Sequence, residues 1–275
     1  EGVFLDHAAI AVDHLPWNVS IRGGLLRSRV GFESARSPWE AAFPDQAPAL
    51  QRVFGQSGLV FIGADLAFDI PAPWTLRPFF AASSATGPGM GSFYGEEQVP
   101  VDSIRDLAWQ VGVENIIKTN PVTISLEVAA ILGPNDTGRR NFADIYAISL
   151  GLIYPEEGHP VGIRVETEWF LRRRQVPGRN IADTSGLALI EVDFADDWEA
   201  AVRWDFAQAR PSSGLEPEDT DDLLRTTLMI GYEPADYLSL DLAVGIEQGG
   251  SHDENGYSVQ LVARAGFLPA PEVTP

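Results

Sequence analysis

The chain has 275 residues, with 39 acidic and 19 basic side chains, a formal net charge of −20 at pH 7 and a mean hydropathy of −0.03. This acidity argues against a nucleic-acid partner, because nucleic acids are bound by basic surfaces. Cysteine is absent, which excludes disulfide and thiolate chemistry, and the chain has no run of eighteen apolar residues that would predict a transmembrane helix.

The first predicted element, Val3–Val12, already alternates apolar with polar residues, and similar segments follow to the end of the chain. This two-residue period is that of a β-strand lying between two different environments. The clearest apolar rows follow alternate positions in residues 60–70, 122–132, 238–246 and 257–267. One such strand would also suit a soluble sheet. About thirteen of them, with almost no helical periodicity between, predict an all-β fold.

The connections between these segments alternate in length along the chain. The tight ones are Asp13–Trp17, Asp69–Trp74, Lys118–Pro121, Tyr154–Pro160, Ala195–Trp198 and Glu233–Tyr237. The wide ones are residues 32–57, 85–104, 133–141, 173–185, 210–222 and 247–256. Bacterial outer-membrane barrels have short periplasmic turns and longer extracellular loops. The pattern therefore predicts an antiparallel up-and-down transmembrane β-barrel in the bacterial outer membrane.

Aromatic residues gather at or beside the tight turns. They are Trp17, Trp74, Tyr154, Trp198, Tyr232 and Tyr237. Aromatic girdles mark the membrane interface because an amphipathic ring prefers the headgroup level to oil or water. Aromatics could also cap the ends of a soluble core, but random placement would not put so many at one end of the strands.

The direction of the terminal strands predicts a longer barrel. Val3–Val12 enters a tight turn and Tyr257–Phe267 follows a wide loop, so both strands run inward. Single-chain bacterial barrels normally have even strand numbers and both termini in the periplasm. We therefore expect residues 1–268 to form one barrel that lacks its first strands, about 14–16 in all when complete, and residues 269–275 to form a periplasmic tail. The alternative is a miscount, for example if Asp106–Ile117 is loop.

Residues 4–32 read FLDHAAIAVDHLPWNVSIRGGLLRSRVGF, in which one strand ends at a Leu-Pro turn and the next contains Arg22 before a glycine pair. This stretch resembles porin-like outer-membrane proteins related to the phosphate-selective porins. Residues 50–55, 131–138 and 197–206 are similar to that family as well. The resemblance implies an outer-membrane channel, with further strands upstream and no catalytic residue. After Phe32 the sequence ESARSPW replaces the family's histidine-bearing loop, so no metal-linked function is implied there.

The wide loop between Phe32 and Gly58 is unusually apolar. It contains Trp39, Phe43, Leu50, Val53 and Phe54. So many apolar side chains are not expected to stay in water. We predict that this loop folds over or into the barrel, as constriction loops do.

Residues for catalysis or metal binding are scarce. The four histidines are His7, His14, His159 and His252, and none shares an outward row with a serine that it could activate. We predict no enzymatic activity and no cofactor. One acidic run in a wide loop offers ligands for Ca²⁺ or Mg²⁺, although such runs are usually solvated loop. Its members are Glu216, Glu218, Asp219, Asp221 and Asp222.

Charged side chains of both signs fall on the inward rows, where they are predicted to line a pore. They are Arg22, Asp65, Arg77, Glu127, Arg164, Glu166, Glu168, Arg172, Glu191, Arg203, Asp205, Arg225, Asp241 and Arg264. Rows of opposite sign in a pore create a transverse field that orients polar solutes. In a plugged scaffold the same rows would form ion pairs that close the interior.

The predicted function is therefore a porin-like channel for passive diffusion of small polar solutes or ions. Its expected surroundings are outer-membrane lipid and lipopolysaccharide, with a homo-oligomer or a larger envelope complex as further possibilities. The first alternative is a structural or partner-binding barrel within such a complex. The second is a soluble acidic β-rich binding protein.

Overall fold

The computed structural model describes residues 8–36, 41–55, 58–71, 73–87, 89–94, 102–135, 141–155, 161–195, 197–209, 216–217, 222–235, 238–249 and 256–265. These form one sheet in which thirteen strands follow one another in chain order, and two short strands pair beside them. All neighbouring pairs are antiparallel except the short pairing of β12 with β10. The predicted all-β, antiparallel up-and-down fold is confirmed.

The strands are β1 (Ala8–Leu15), β2 (Val19–Arg27), β3 (Val60–Phe68), β4 (Ile70–Pro71), β5 (Thr75–Ser84), β6 (Leu107–Thr119), β7 (Val122–Pro134), β8 (Phe142–Tyr154), β9 (Gly162–Val176), β10 (Arg179–Ala195), β11 (Trp198–Ala209), β12 (Glu216–Pro217), β13 (Leu223–Ala235), β14 (Leu238–Gly249) and β15 (Gly256–Ala265). Two short helices, α1 (Phe32–Ala35) and α2 (Pro48–Phe54), and a 3-10 turn at Ile104–Asp106 complete the described elements. Residues 107–117 lie in β6, so the alternative that this segment is loop is wrong.

The two faces of the sheet differ in chemistry as the alternation predicts. On β14 the side chains of Leu240, Leu242, Val244 and Ile246 are all at least 40% exposed. The intervening Asp241 and Ala243 are buried. An exposed face built from large apolar residues is the reverse of a water-soluble sheet and is what a strand in lipid requires.

The turns follow the predicted alternation, with one exception. The hairpin between β6 and β7 turns at Asn120 and Pro121, as predicted. Residues 173–185, however, are not a wide loop, because β9 continues to Val176 and β10 begins at Arg179. Polar side chains of the two strands pair across the hairpin, as Asp183 does with Arg172 at 2.8 Å, so a polar stretch can remain strand. Gly178, with φ +82°, supplies the turn.

The concave face of the sheet is filled by the segment between β2 and β3. Phe43, Leu50, Val53 and Phe54 are each about 1% exposed, and the ring of Phe54 packs edge-on against Phe170 of β9 at 5.4 Å. The predicted inward folding of this loop is confirmed, while Trp39 lies outside the described residues. A second segment, residues 85–94, joins the same core through Met90 and Phe93.

Among the described residues, β1 and β15 have one neighbour each and form the two edges of the sheet. Because the path from edge to edge contains thirteen strands, each antiparallel to the next, β1 and β15 run in the same direction. Neither described helix is long or apolar enough to span a membrane. Residues 269–275, predicted to be a periplasmic tail, lie outside the described part of the chain.

Candidate functional site

The inserted loop comprises residues 28–59. It leaves the strands of the sheet, which we call the wall, at Ser28. The Ser28 backbone N–H donates to the Leu59 carbonyl at 2.9 Å, which joins the two ends of the loop. The Ser28 hydroxyl donates to Gln110 Oε1 on β6 at 2.6 Å and accepts the Val30 N–H at 2.9 Å. These bonds turn the chain away from the wall and into the concave interior.

The first part of the loop rests on carboxylates of the wall. The Gly31 N–H donates to Glu127 Oε1 on β7 at 2.9 Å, and the Glu33 N–H donates to the carboxylate of Glu168 on β9. Arg36 pairs with Glu166 of β9 through Nη1 at 2.6 Å. Gly31 has φ +79°, and a Cβ there would collide with the Glu168 carboxylate, so this contact needs glycine.

The middle of the loop is held by two arginines. Arg203 of β11 is fully buried, donates to the Asp45 carbonyl at 3.0 Å, and pairs with Asp205 at 2.9 Å. Its guanidinium also lies 4.5 Å from the centre of the Phe43 ring. Arg225 of β13 reaches the Asp45 carboxylate at 2.7 Å. Asp45 therefore joins the loop to two strands at once.

Helix α2 is held by a third set of polar contacts. Arg52 pairs with Asp183 of β10 at 3.0 Å, and Arg172 of β9 pairs with the same carboxylate. The Arg172 guanidinium also donates to the Arg52 carbonyl at 3.0 Å and to the Ser92 hydroxyl at 3.2 Å. Ser92 in turn donates to the Val53 carbonyl, so residues 85–94 are joined to α2.

A cavity of about 320 Å³ lies between α1 and the tight-turn end of the strands. Its charged lining comes from both the loop and the wall, and comprises Arg22, Arg29, Arg36, Arg77, Glu114, Glu127 and Glu166. Four guanidinium groups thus face three carboxylates around one space. The arrangement can hold water and contact a charged or polar solute.

The arginines of this cavity are held in place yet keep contact with solvent. Arg22 and Arg29 both pair with Asp65, at 2.8 and 3.1 Å, and Arg77 reaches Glu114 at 3.3 Å. Their side chains are still between 22% and 32% exposed. In the turn after β3, the hydrogen bond from Arg77 lowers the pKa of Asp69. The turn carboxylate therefore stays ionised beside the cavity.

Negative charge concentrates on a different stretch of the wall. Glu191, Asp193 and Glu199 have carboxylate oxygens within 4.8 Å of one another near the turn between β10 and β11. Arg164 pairs with Glu191. Asp241 is buried on β14, where the Ser239 hydroxyl lies 3.4 Å from its carboxylate. The side chain of Arg264 lies outside the described part of the structure.

The remaining predicted residues are only partly described. Trp17, Trp74, Tyr154 and Trp198 are exposed near the tight turns, and Trp198 packs on Tyr232 with ring centres 4.8 Å apart. Their position at a membrane interface stays a prediction, and Tyr237 lies outside the described residues. Glu218, Asp219 and Asp221 of the acidic run also lie outside the described residues, as do His7, His159 and His252. Of the other two members of the run, Glu216 is described by its backbone in β12, and Asp222 precedes β13.

Several functional residues were missed by sequence reasoning. Five of them lie on the inserted loop: Arg29, Arg36, Asp45 and Arg52 each form an ion pair with a wall residue, and Glu33 pairs with Arg36 within the loop. A usable signal was present, because a loop with so many apolar residues also carried arginines that would need partners if buried. The wall residues Glu127, Glu168, Arg172, Arg203 and Asp205 contact this loop.

Comparison with known proteins agrees with this fold. No protein-family model matches the chain, and no curated protein matches it. Among solved structures, the anion-selective porin from Comamonas acidovorans has a TM-score of 0.58 at 12% identity, with 90% of this chain and 74% of that chain covered. The outer membrane protein OmpT of Vibrio cholerae, with its loop L8 deleted, has a TM-score of 0.55 at 9% identity, covering 90% and 75%. Expressed in the outer membrane, OmpT has a TM-score of 0.53 at 9% identity, covering 89% and 74%. At such identities the likeness concerns the fold, which is that of bacterial outer-membrane barrels, and the predicted porin-like resemblance is confirmed at that level.

Proposed function

We propose that this protein is an outer-membrane channel for passive diffusion of small polar solutes or ions. The observation that carries the proposal is the charged cavity of about 320 Å³ beside a loop folded into the concave face of the sheet. The apolar outer face supports a location in lipid. The similarity of the fold to solved outer-membrane proteins, one of them an anion-selective porin, supports the same location.

Charged side chains of both signs along the wall support selection among solutes. Arg22, Arg29 and Arg77 lie on or beside strands β2 and β5. Glu191 and Glu199 lie on β10 and β11, several strands away around the sheet. Both signs occur in both places, because Arg22 and Arg29 pair with Asp65, and Arg164 pairs with Glu191. Charges of both signs in a confined space orient polar solutes and slow apolar ones.

A specific observation favours the second candidate, a plugged structural or partner-binding barrel. Phe43, Leu50, Phe54, Met90 and Phe93 belong to one continuous apolar core inside the sheet. Such a core leaves no room for water where it fills the interior. Conductance of the complete protein in a planar bilayer separates the two candidates, because only a channel conducts. A detergent-free, monodisperse sample would instead favour the soluble alternative.

The selectivity of the channel should depend on the arginines of the cavity. In the double variant Arg29→Gln and Arg77→Gln, two positive charges are removed from a confined and weakly screened space. We expect the reversal potential in a salt gradient to shift towards cation selectivity. The shift should be greatest at about 0.01 M salt, where the Debye length is about 30 Å.

Arg105→Gln is the matched control, because Arg105 is exposed on the 3-10 turn and does not line the cavity. This variant should leave the reversal potential unchanged. An open channel in which the double variant behaves like the control would contradict the assignment of Arg29 and Arg77 to the pore wall. A protein that never conducts would support the plugged scaffold.

We further propose that an odd number of additional antiparallel strands of the same polypeptide closes the sheet. Since β1 and β15 run in the same direction, a direct pairing between them would be parallel, unlike the rest of the path. A second copy inserted in the same orientation meets the same difficulty. Open edges in lipid cost several kcal/mol for each unpaired backbone group. The solved neighbours leave room for such strands, because this chain covers 74–75% of their length.

Cysteine crosslinking tests closure, since the chain has no cysteine of its own. Leu242→Cys with Leu261→Cys is the positive control, because these residues are register partners on β14 and β15. Ile10→Cys with Leu261→Cys should not crosslink if strands lie between β1 and β15. The intact mass of the native protein should also exceed 29.9 kDa. Direct crosslinks between β1 and β15 at a mass of 29.9 kDa would overturn the proposal.

A further inference from the structure

A row of three polar side chains crosses the inner face of the wall beside α1. Glu127 of β7 is in register with Ser149 of β8, and Ser149 is in register with Glu168 of β9. Register partners on neighbouring strands point to the same face, with Cβ atoms about 4.5–5.5 Å apart. The three side chains are at most 2% exposed, whereas Ile148 and Leu150, on either side of Ser149, are at least 47% exposed. The row therefore faces the interior, with Ser149 between the two carboxylates.

The two carboxylates of this row are not balanced by cationic side chains. Within the described part of the chain, Glu127 and Glu168 form no ion pair, and each accepts one backbone N–H of the loop. Arg36 pairs instead with Glu33 and Glu166. The charges that act most strongly on Glu168 are those of Glu33, Glu166 and Glu127, which all have the same sign. Buried charges are costly unless they are paired or bound to a metal, so this row needs a positive charge from outside the described residues.

Three buried oxygen atoms at this place have no hydrogen-bond partner among the described residues. They are Glu168 Oε2, Ser149 Oγ and Ser34 Oγ. Ser34 lies on α1 and is 1% exposed, and a Cβ on Gly31 would lie 2.5 Å from Glu168 Oε2 and 3.3 Å from Ser34 Cβ. The loop therefore places a second hydroxyl beside the Glu168 carboxylate. Oxygens that gather without hydrogen-bonding one another suit a cation, because a cation is coordinated by oxygen lone pairs.

We propose that Ser34, Glu127, Ser149 and Glu168 bind a divalent cation, Ca²⁺. Two carboxylates balance its charge, and Ca²⁺ accepts irregular sets of oxygen ligands at about 2.3–2.6 Å, whereas Mg²⁺ demands a near-ideal octahedron at about 2.0–2.1 Å. Glu127 also lines the charged cavity, from which water can complete the coordination. A cation bound here joins α1 of the loop to β7, β8 and β9. The proposal does not depend on whether the barrel conducts.

Calcium binding can be measured on the complete protein in a neutral detergent. Bound metal is first removed with EDTA, and CaCl₂ is then titrated in by isothermal titration calorimetry. We expect saturable binding that becomes at least about tenfold weaker in Glu168→Gln. This variant loses one charged ligand, while its amide oxygen can still accept the Glu33 N–H. Asp193→Asn is the matched control, because it removes one carboxylate from the cluster of Glu191, Asp193 and Glu199, where Asp193 is exposed. The control should bind Ca²⁺ as the unmodified protein does.

Ser149→Ala tests the same site without removing a charge or a hydrogen bond to a described residue, so it remains informative if Glu168→Gln fails to fold. We expect weaker Ca²⁺ binding and a smaller rise of the urea midpoint on adding CaCl₂, because a ligand of the folded state stabilises according to its affinity. Thr227→Val removes another buried hydroxyl that has no hydrogen-bond partner among the described residues, several strands away on β13. It should respond to CaCl₂ as the unmodified protein does.

Three outcomes would contradict the proposal. If Ca²⁺ binding is not saturable and CaCl₂ leaves the urea midpoint unchanged, the buried carboxyl groups are neutralised by protons and not by a cation. Equal binding by Glu168→Gln and Asp193→Asn, or equal responses of Ser149→Ala and Thr227→Val, would show that these residues are not the ligands. Binding of Mg²⁺ as tightly as Ca²⁺ would overturn the choice of Ca²⁺. None of these measurements uses conductance, so failure here is distinguishable from failure of the channel proposal.

Discussion

Leu242→Arg is expected to lower the free energy of unfolding in lipid by about 2–4 kcal/mol. Leu242 lies near the middle of β14 on the exposed apolar row, between Leu240 and Val244. A guanidinium at this depth loses its hydration, and no acceptor on the outer face replaces the lost water. The measurement is the urea midpoint of the protein folded into phospholipid vesicles.

Gln248→Arg is the matched control for this change. Gln248 is exposed, lies on the same outward row of β14, and is six residues nearer the wide-loop end of the strand. Near the interface the cost of an arginine falls to about 0–1 kcal/mol. If both substitutions shift the urea midpoint equally, β14 does not cross the hydrocarbon region and the assignment of the outer face to lipid is wrong.

The strands could be predicted from sequence because alternation is a local property. In β14, the row of Leu240, Leu242 and Val244 opposes Asp241 and Ala243, and no distant contact is needed to interpret it. The hairpin of β9 and β10 shows where this local signal fails. Its outer part carries arginines, an asparagine and a Pro-Gly turn, which are as common in loops as in paired strands. The pairing of Arg172 with Asp183 shows that the segment is paired strand and not loop. That pairing is recognised only when the register of the two strands is known.

The site was less predictable than the fold. Glu127 and Glu168 could be placed on inner rows by alternation, but their partners are backbone N–H groups at Gly31 and Glu33. No periodicity in the sequence indicates which distant backbone groups a buried carboxylate will accept. The apolar loop could be predicted to fold inward because burial follows from composition. The direction in which it lies, and therefore which charges it covers, depends on contacts across more than 90 residues of chain.

Two kinds of interaction, apolar packing and buried ion pairs, hold the loop inside the sheet. Amino-acid composition does not indicate which of them determines the position of the loop. Phe54 of α2 packs against Phe170, while charged groups in the first part and the middle of the loop, Arg36 and Asp45, hold it to the wall. Apolar packing is non-directional and permits several placements of the loop. Buried ion pairs with defined partners favour one placement, because any other would leave charges without compensation. We therefore expect the ion pairs to determine the position of the loop and the apolar core to provide most of its stability.

Arg203→Met tests this division and should have the largest effect of any single change in the loop anchors. Arg203 is fully buried and is paired with Asp205, which is fully buried as well. Loss of one partner of a buried pair costs about 3–5 kcal/mol, because the other charge stays buried without compensation. The same change removes the hydrogen bond to the Asp45 carbonyl. We expect a lower urea midpoint, a larger single-channel conductance if the barrel conducts, and new trypsin cleavage after Arg52.

A second variant separates the stability of the wall from the anchoring of the loop. In Arg203→Met with Asp205→Leu, both charges are replaced by apolar groups of similar size, so most of the lost stability should return. The loop should nevertheless stay sensitive to trypsin at Arg52, because the contact between residue 203 and Asp45 of the loop is still missing. Arg105→Met, at an exposed position, should change neither quantity. A single variant that keeps the original urea midpoint and resists trypsin would show that Arg203 does not anchor the loop, and that apolar packing alone determines its position.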